Sequence, residues 1–156
     1  MAIVLPKLPS RRLSPRRNVA VRTEPALGLR LLSLQQGLEP GETLEFEYCL
    51  KRVSAEMIDH LELSVMWCTE GKGSEDLGVH LFESVSAEQL LSQPLAGCAT
   101  LRGTRRVATV LPSYPLSYEG RLMKIRWCIR LRLYLADGRE ITAEQPFYLG
   151  HLTLEV

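Results

Sequence analysis

Hydrophobic and polar residues alternate along three stretches of the chain. The alternation is longest over residues 124–135, and shorter stretches of the same kind cover residues 44–51 and 61–68. Successive side chains of a strand point to opposite faces of a sheet, so a period of two predicts strands with one buried face. The pattern therefore indicates a protein built mainly of β-strands.

Turn residues lie between these stretches. Asp137-Gly138 predicts a tight hairpin turn, because glycine accepts the positive φ that such turns require. This turn joins the longest stretch to a partner strand over residues 140–149. Pro40-Gly41 predicts a second turn, before the strand at residues 44–51.

One short helix is expected among the strands. Ser86 can cap a helix N-terminus, Gln89 three residues later can complete a capping box, and Pro94 limits the helix length. Many short strands with at most one short helix indicate the all-β class. We predict an antiparallel β-sandwich over residues 27–150, followed by a C-terminal tail at 151–156.

Charge is distributed unevenly, although the formal net charge of the 156 residues is only +1. Residues 1–26 contain six cations, one acid and four prolines, without an apolar period. This composition predicts a flexible basic arm, which can contact a polyanion such as nucleic acid or an anionic membrane surface. The candidate residues for that contact are Arg11, Arg12, Arg16 and Arg17.

Membrane-spanning and secretory signals are not expected. No uncharged stretch reaches the roughly 18–20 residues that span a bilayer. The apolar run at residues 2–5 is shorter than the core of a secretory signal. We therefore expect a cytoplasmic protein whose cysteines are free thiols.

Cysteine and histidine spacing matches no metal motif, and no catalytic constellation is visible. Cys49, Cys68 and Cys128 fall on the polar phase of three strands, where thiols that approached one another would form a soft-metal or redox cluster. Isolated small side chains on a partly covered face are the favoured interpretation. We expect no metal, no cofactor and no enzymatic activity.

The polar phase of the longest strand is rich in cations, which are candidate contacts for an acidic partner. These residues are Lys124, Arg126, Arg130 and Arg132. The competing interpretation, which we favour, is that they pair internally with acids on the polar phase of other strands. Those acids are Glu45, Glu47, Glu62 and Glu70.

The run Val79–Phe82 is a candidate edge strand, because it is short, follows a polar loop and has one charged neighbour, Glu83. Open edge strands can pair with a strand of another chain. We predict that a client or a second copy of the chain adds a strand here. Leu81 or Phe82 would supply apolar contact.

Three consecutive segments carry a family resemblance. Val110-Leu111-Pro112 ends one strand, Ser117–Gly120 reads S-Y-E-G, and Ile125–Leu131 begins I-R-W-C-I. In this order the segments resemble the arrestin superfamily, and residues 38–44 look like an early turn of such domains.

The resemblance implies an immunoglobulin-like sandwich and non-enzymatic docking on membrane cargo, receptors or trafficking machinery. It implies architectural roles for five residues: Pro112, Tyr118, Glu119, Gly120 and Trp127. Gly120 would adopt a backbone conformation that other residues resist, Glu119 would accept main-chain hydrogen bonds, and Tyr118 would bury its ring.

The chain departs from a full arrestin, which has two sandwiches where this length supplies one. It looks more like a divergent, bacterial-type member of the superfamily. The sequence thus predicts a single-lobe protein-binding or scaffolding module. Polyanion binding through the basic arm is the alternative.

Overall fold

The computed structural model describes residues 24–33, 37–92 and 104–152. Their strands are β1 (Ala26–Leu31), β2 (Gly37–Leu38), β3 (Thr43–Lys51), β4 (Ile58–Gly71), β5 (Leu77–Ser86), β6 (Thr104–Val110), β7 (Tyr118–Glu119), β8 (Met123–Leu135) and β9 (Glu140–Leu149). One helix, α1 (Ala87–Ser92), follows β5, and a 3-10 turn (Ala55–Met57) precedes β4.

The strands form two sheets. The smaller sheet has the order β1-β3-β6, and the larger has the order β2-β9-β8-β4-β5, with β7 also paired to β8. Strand pairs are antiparallel except for the short parallel pair of β2 and β9. The prediction of an all-β sandwich with one short helix is confirmed.

The core lies between the two sheets and is built from the apolar phase of the alternating strands. Phe46 of β3, Leu63 of β4 and Leu131 of β8 are fully buried there. Removing such side chains from water is the main stabilising contribution to the fold, at about 1.5–3 kcal/mol for each large apolar side chain.

Both predicted turns form. Gly138 has a φ of 91° in the hairpin between β8 and β9, and the Asp137 carboxylate accepts a hydrogen bond of 2.9 Å from the Arg139 backbone N–H. Gly41 has a φ of 84°. Both glycines therefore occupy the left-handed region that disfavours other residues.

The predicted capping box is present at the start of α1. The Ser86 N–H donates to Gln89 Oε1 at 2.9 Å, and the Gln89 N–H donates to Ser86 Oγ at 3.2 Å. Leu90 is buried in the core, which anchors the helix to the sandwich.

The predicted edge strand is an edge but is not short. β5 has 10 residues, and its one strand neighbour within the described part of the chain is β4. The pairing register shifts between Val65 and Met66 of β4, so that His80 has no partner in the register. This irregularity leaves a regular segment from Leu81 to Ser86.

The described residues begin just before β1. Arg52 Nε donates to the Glu24 carbonyl at 2.7 Å, and the Leu152 N–H donates to Glu39 Oε1 at 3.2 Å near the other end. The four arginines predicted for the arm lie outside the described residues. No helix within residues 24–33, 37–92 or 104–152 is long and apolar enough to cross a membrane.

Candidate functional site

The larger sheet turns one face away from the smaller sheet, and most of the predicted binding residues that the structure describes lie on this outer face. The register places Glu62 beside Arg132, Ser64 beside Arg130 and Cys68 beside Arg126. We call the free side of β5, opposite to β4, the open edge. The outer face and the open edge meet along β5.

The predicted cation stripe lies on the outer face and is paired with acids. The pairs are Lys124 Nζ with Glu119 at 3.5 Å, Arg126 Nε with Glu70 at 3.3 Å, Arg126 with Glu119 at 3.9 Å, Arg130 Nε with Glu144 at 2.7 Å and Arg132 Nε with Glu140 at 3.5 Å. Exposed pairs of this kind add little to stability, but they cancel the positive field of the stripe. The geometry supports the internal-pairing interpretation.

The acids in these pairs differ from those expected, except for Glu70. Glu45 and Glu47 belong to β3 in the smaller sheet, where Glu47 pairs with Arg30. Glu62 lies across from Arg132 but accepts a hydrogen bond of 3.2 Å from the Tyr134 hydroxyl. Cross-strand pairing depends on which strands are neighbours, which alternation alone does not specify.

A titratable cluster occupies one end of the outer face. The His60 and Tyr134 rings stack with centroids 4.4 Å apart. His60 Nδ1 lies 2.8 Å from the Asp59 carboxylate, and His60 Nε2 lies 3.5 Å from Glu62. The hydrogen bond to Asp59, with a further contribution from Glu62, raises the pKa of His60 above its ordinary 6.5.

The three cysteines do not form one cluster. Cys49 is on β3 in the smaller sheet, while Cys68 and Cys128 are diagonal neighbours on β4 and β8. All three are free thiols. Burial is the main cause of the raised pKa of Cys68. Burial is also the main cause that raises the pKa of Cys128 to about 11. Within the described residues, no three His, Cys, Asp or Glu side chains are placed to hold a metal ion.

The edge strand carries a row of exposed apolar side chains on the outer face. Leu77 is 60% exposed, Val79 54% and Phe82 55%. Leu81 instead points inward and packs against the core. Of the two predicted apolar contacts, only Phe82 is therefore available to a partner.

The backbone of β4 shows which of its groups face β5. The Thr69 N–H donates to the Asp76 carbonyl, just before β5, at 2.9 Å. β4 keeps an unbroken register with β8 from His60 to Gly71, so the alternation of backbone direction continues along this range. Odd-numbered residues of β4 therefore direct their N–H and C=O groups to β5.

This alternation identifies the free backbone groups of the open edge. Leu81 and Glu83 lie opposite odd-numbered residues of β4 and bond to that strand. Phe82 and Ser84 lie opposite even-numbered residues, so their N–H and C=O groups point away from the sheet. The Leu81 N–H therefore points to β4 and is not available to a partner strand.

Two features limit access to the open edge. His80 Nε2 donates to the Val110 carbonyl of β6 at 2.9 Å, which ties the irregular part of β5 to the smaller sheet. Glu83 lies on the inward phase, and its charge contributes to the raised pKa of Tyr48, whose main cause is burial. A register irregularity and an inward-pointing charge are devices that restrict uncontrolled strand pairing.

Most of the arrestin-like motif residues lie near the start of β8, whereas the His60–Tyr134 pair lies near its end. Trp127 is 1% exposed, and its Nε1 donates to the Pro115 carbonyl at 2.8 Å. Leu111, before the partly buried Pro112, exchanges backbone hydrogen bonds of 3.0 and 2.9 Å with Gly41 and Glu42. This segment joins the end of β6 to the turn before β3.

Three of the motif roles differ from those implied. Gly120 does not have a positive φ. A Cβ there would lie 2.8 Å from the Met123 carbonyl oxygen and would overlap the Tyr118 ring, so close approach is what requires glycine. Tyr118 is 54% exposed, and the Glu119 carboxylate pairs with Lys124.

A pocket that sequence reasoning missed lies where β7 and β9 separate as neighbours of β8. Its volume is about 240 Å³. Its lining residues are Ser117, Glu119, Ile125, Arg126, Trp127, Pro146, Phe147 and Tyr148. Arg126 and Glu119 face each other there, so the pocket has balanced charge. Five of these residues belong to the motif segments Ser117–Gly120 and Ile125–Leu131, but the pocket itself arises from a change of strand neighbour, which the motif does not specify.

No family model and no curated protein matches the sequence. Among solved structures, the sporulation control protein Spo0M from Bacillus subtilis is similar with a TM-score of 0.55 and 9% identity, over 82% of this chain and 50% of that protein. A superoxide reductase (neelaredoxin) from Ignicoccus hospitalis has a TM-score of 0.45 and 8% identity, over 80% of each chain.

The chain thus spans half the length of Spo0M. At this identity the likeness concerns the fold alone, and the fold of Spo0M is arrestin-like. The strands, the core and this comparison together show that the chain has an all-β sandwich fold of the arrestin-like kind.

Proposed function

We propose that this protein is a non-enzymatic, cytoplasmic protein-binding module of arrestin-like type. It binds an extended segment of a partner protein along the open edge of β5. The observation that carries the proposal is that the backbone groups of Phe82 and Ser84 point away from β4, with no strand partner among the described residues, beside an exposed apolar row.

The backbone of the open edge supplies the hydrogen bonds. Phe82 and Ser84 each direct an N–H and a C=O away from the sheet, as derived from the register with β4. An added strand satisfies these groups with its own backbone and needs no particular side chains for this purpose. Affinity would therefore come largely from main-chain pairing.

The side chains of β5 set which segments fit. Phe82, Val79 and Leu77 are exposed on the outer face, so a partner strand gains apolar contact from alternate residues on that face. On the other face the nearest β5 charge is Glu83, which disfavours an acidic residue there. The preferred segment alternates apolar side chains with neutral or basic ones.

The length of the segment is also restricted. The regular part of β5 extends from Leu81 to Ser86, between the irregularity at His80 and the start of α1. A partner strand can pair with this part without distortion. A segment of about six residues fits, which is the common length of strands in globular proteins.

Selection from a peptide library tests the proposal. Full-length wild-type protein is used to select displayed peptides, and their affinities are then measured for wild type, Ser84→Pro and Ser84→Ala. Proline at an edge position whose N–H faces solvent is compatible with a strand but removes the donor. Ser84→Ala is the matched control, because it keeps the N–H.

We expect selected peptides with alternating apolar residues to bind wild type and Ser84→Ala equally. Ser84→Pro should bind at least about tenfold more weakly, which corresponds to the loss of about 1.4 kcal/mol. Its thermal unfolding should resemble that of wild type. Peptides that bind Ser84→Pro as well as wild type, or a library that yields no binder, would contradict the proposed mode.

A further inference from the structure

Three sulfur-bearing side chains lie together on the outer face. Met66 of β4 is directly opposite Cys128 of β8, and Cys68, two residues further along β4, is diagonal to Cys128. Directly opposite residues have Cβ atoms about 4.5–5.5 Å apart, and diagonal neighbours have Cα atoms about 7–8 Å apart. The sequence grouped Cys49 with these cysteines, whereas the structure puts Met66 in that position.

Met66 is buried in an unusual place. It is 3% exposed, yet it is not part of the hydrophobic core between the sheets. Its other cross-strand neighbour is Val79, and the neighbour of Cys68 on the same side is Leu77. The thioether is therefore held on the outer face beside two apolar side chains rather than in the core.

The electrostatic surroundings of the two thiols are mixed. The positive charges of Arg126 and Arg130 favour the thiolate of Cys68, and Arg130 also favours that of Cys128. Glu70 acts against the Cys68 thiolate, and Glu144 acts against both. A cation that binds the sulfurs as thiolates therefore competes with protons, while the nearby arginines and glutamates pair with each other and largely offset one another's charge.

The donor set determines which ion fits. Thiolate sulfur binds both Cu(I) and zinc, but structural zinc sites almost always use four ligands drawn from thiolate, imidazole and carboxylate, so a thioether in a smaller donor set favours Cu(I). No third His, Cys, Asp or Glu joins the two cysteines in the described part of the chain. Two thiols and one thioether on one face suit Cu(I) better than zinc.

We propose that Met66, Cys68 and Cys128 form a binding site for one Cu(I) ion. Two Cu–S bonds form as the thiols of Cys68 and Cys128 release their protons to solvent, and the Met66 sulfur donates a lone pair to the same ion. Copper remains in the +1 state and no electron is transferred. The site does not rest on strand addition at the open edge.

The test is a titration of the reduced full-length protein with Cu(I) under anaerobic conditions, in competition with a chromophoric Cu(I) chelator. The variants are Cys68→Ser, Cys128→Ser and Met66→Leu, with Cys49→Ser and Cys98→Ser as matched controls. Cys49 lies in the smaller sheet and Cys98 lies outside the described residues. Apo-protein thermal unfolding is recorded for each variant, and Cys→Ala replaces any serine variant that does not fold.

We expect wild type and both control variants to bind one equivalent of Cu(I) with the same affinity. Cys68→Ser and Cys128→Ser should each lose at least about a hundredfold, and Met66→Leu about tenfold, which correspond to about 2.7 and 1.4 kcal/mol. Equal losses in Cys49→Ser or Cys98→Ser would show unspecific thiol binding and overturn the site. Unchanged affinity in Met66→Leu would overturn the three-sulfur assignment.

Discussion

Single residues in this protein show that one residue type can be required for different physical reasons. Gly138 is required by its φ of 91° and has open space where a Cβ would project. Gly120 has no positive φ, but its N–H donates to the Met123 carbonyl at 3.0 Å in the turn between β7 and β8. That bond brings the two backbones so close that a Cβ does not fit.

Gly120→Ala should therefore destabilise the protein although its φ lies outside the left-handed region. A contact of 2.8 Å with a backbone oxygen cannot be relieved by rotating a side chain. We expect the free energy of unfolding to fall by about 1 kcal/mol or more, within the usual range for steric substitutions. Denaturant unfolding measures the change, with Gly138→Ala as a comparison expected to cost about 1 kcal/mol through its φ alone. An unchanged Gly120→Ala curve would contradict the close-approach argument.

The pH dependence of stability provides a second prediction at this scale. Asp59 and Glu62 raise the pKa of His60, so protonated His60 is stabilised more in the folded chain than in the unfolded chain. This contribution is fully present below pH 6.5 and is lost as the pH rises through the folded pKa. It should be small, because the Asp59 side chain is 67% exposed.

Denaturant titrations of wild type and His60→Gln test this. The difference in free energy of unfolding should be larger at about pH 5.5 than at about pH 8.5. Asp59→Asn should remove most of that pH dependence, since the hydrogen bond to Asp59 is its main cause. A difference that is constant with pH, or larger at high pH, would show that the ion pair does not form in solution.

At the scale of elements, α1 illustrates how a very short helix persists. Its 6 residues are far below the length at which isolated helices are stable in water. The capping box satisfies backbone groups at its start, and Leu90, 1% exposed, fixes it to the core. The Leu90 carbonyl also accepts a hydrogen bond from the buried Arg105 guanidinium of β6. Tertiary contacts therefore contribute more than the cap.

Two substitutions separate these contributions. Leu90→Ala should lower the free energy of unfolding by about 2–5 kcal/mol, because it leaves a cavity in the core. Ser86→Ala should cost only about 1 kcal/mol, the usual effect of losing an N-cap side chain. Thermal and denaturant unfolding of both variants compare the two values. The reverse order would mean that the cap rather than the core holds the helix.

At the scale of the whole molecule, β1 is the first strand of the described sandwich. β1 pairs along its full length with β3, and Leu27, Leu29 and Leu31 pack against the core. Arg52 binds the Glu24 carbonyl just before this strand. Residues 1–23 lie outside the described part of the chain, and their predicted role is contact with polyanions.

Deletion of residues 1–23 should leave thermal unfolding unchanged, because β1 and the Glu24 contact are retained. Deletion of residues 1–31 is the matched comparison and should destabilise the domain strongly, since β3 loses a neighbour. Limited proteolysis of the full chain should stop near residue 24. A protease-resistant Met1 would show that the N-terminal residues are part of the folded domain.

The same deletion separates the two binding hypotheses. Binding to heparin or to anionic vesicles should be lost without residues 1–23, because six of the chain's cations are removed. Peptide binding at β5 should remain. Loss of peptide binding in this variant would mean that the basic residues, rather than the open edge, bind the partner.

What the sequence by itself determined about this protein is local. Alternation over residues 124–135, the turn at Asp137-Gly138 and the capping box at Ser86 each depend on residues close together in the chain. Backbone conformation there follows from steric preferences and short-range hydrogen bonds, so these elements could be predicted without knowing their neighbours.

Only the tertiary structure decided which strands are neighbours and in what register. That choice placed Cys49 in the other sheet, set Met66 beside Cys128 and turned the Leu81 N–H toward β4. Alternation is the same for every half-buried strand, so it does not select a partner strand. Packing of the whole core selects it, because a shift of one residue would move every apolar side chain of a strand to the wrong face.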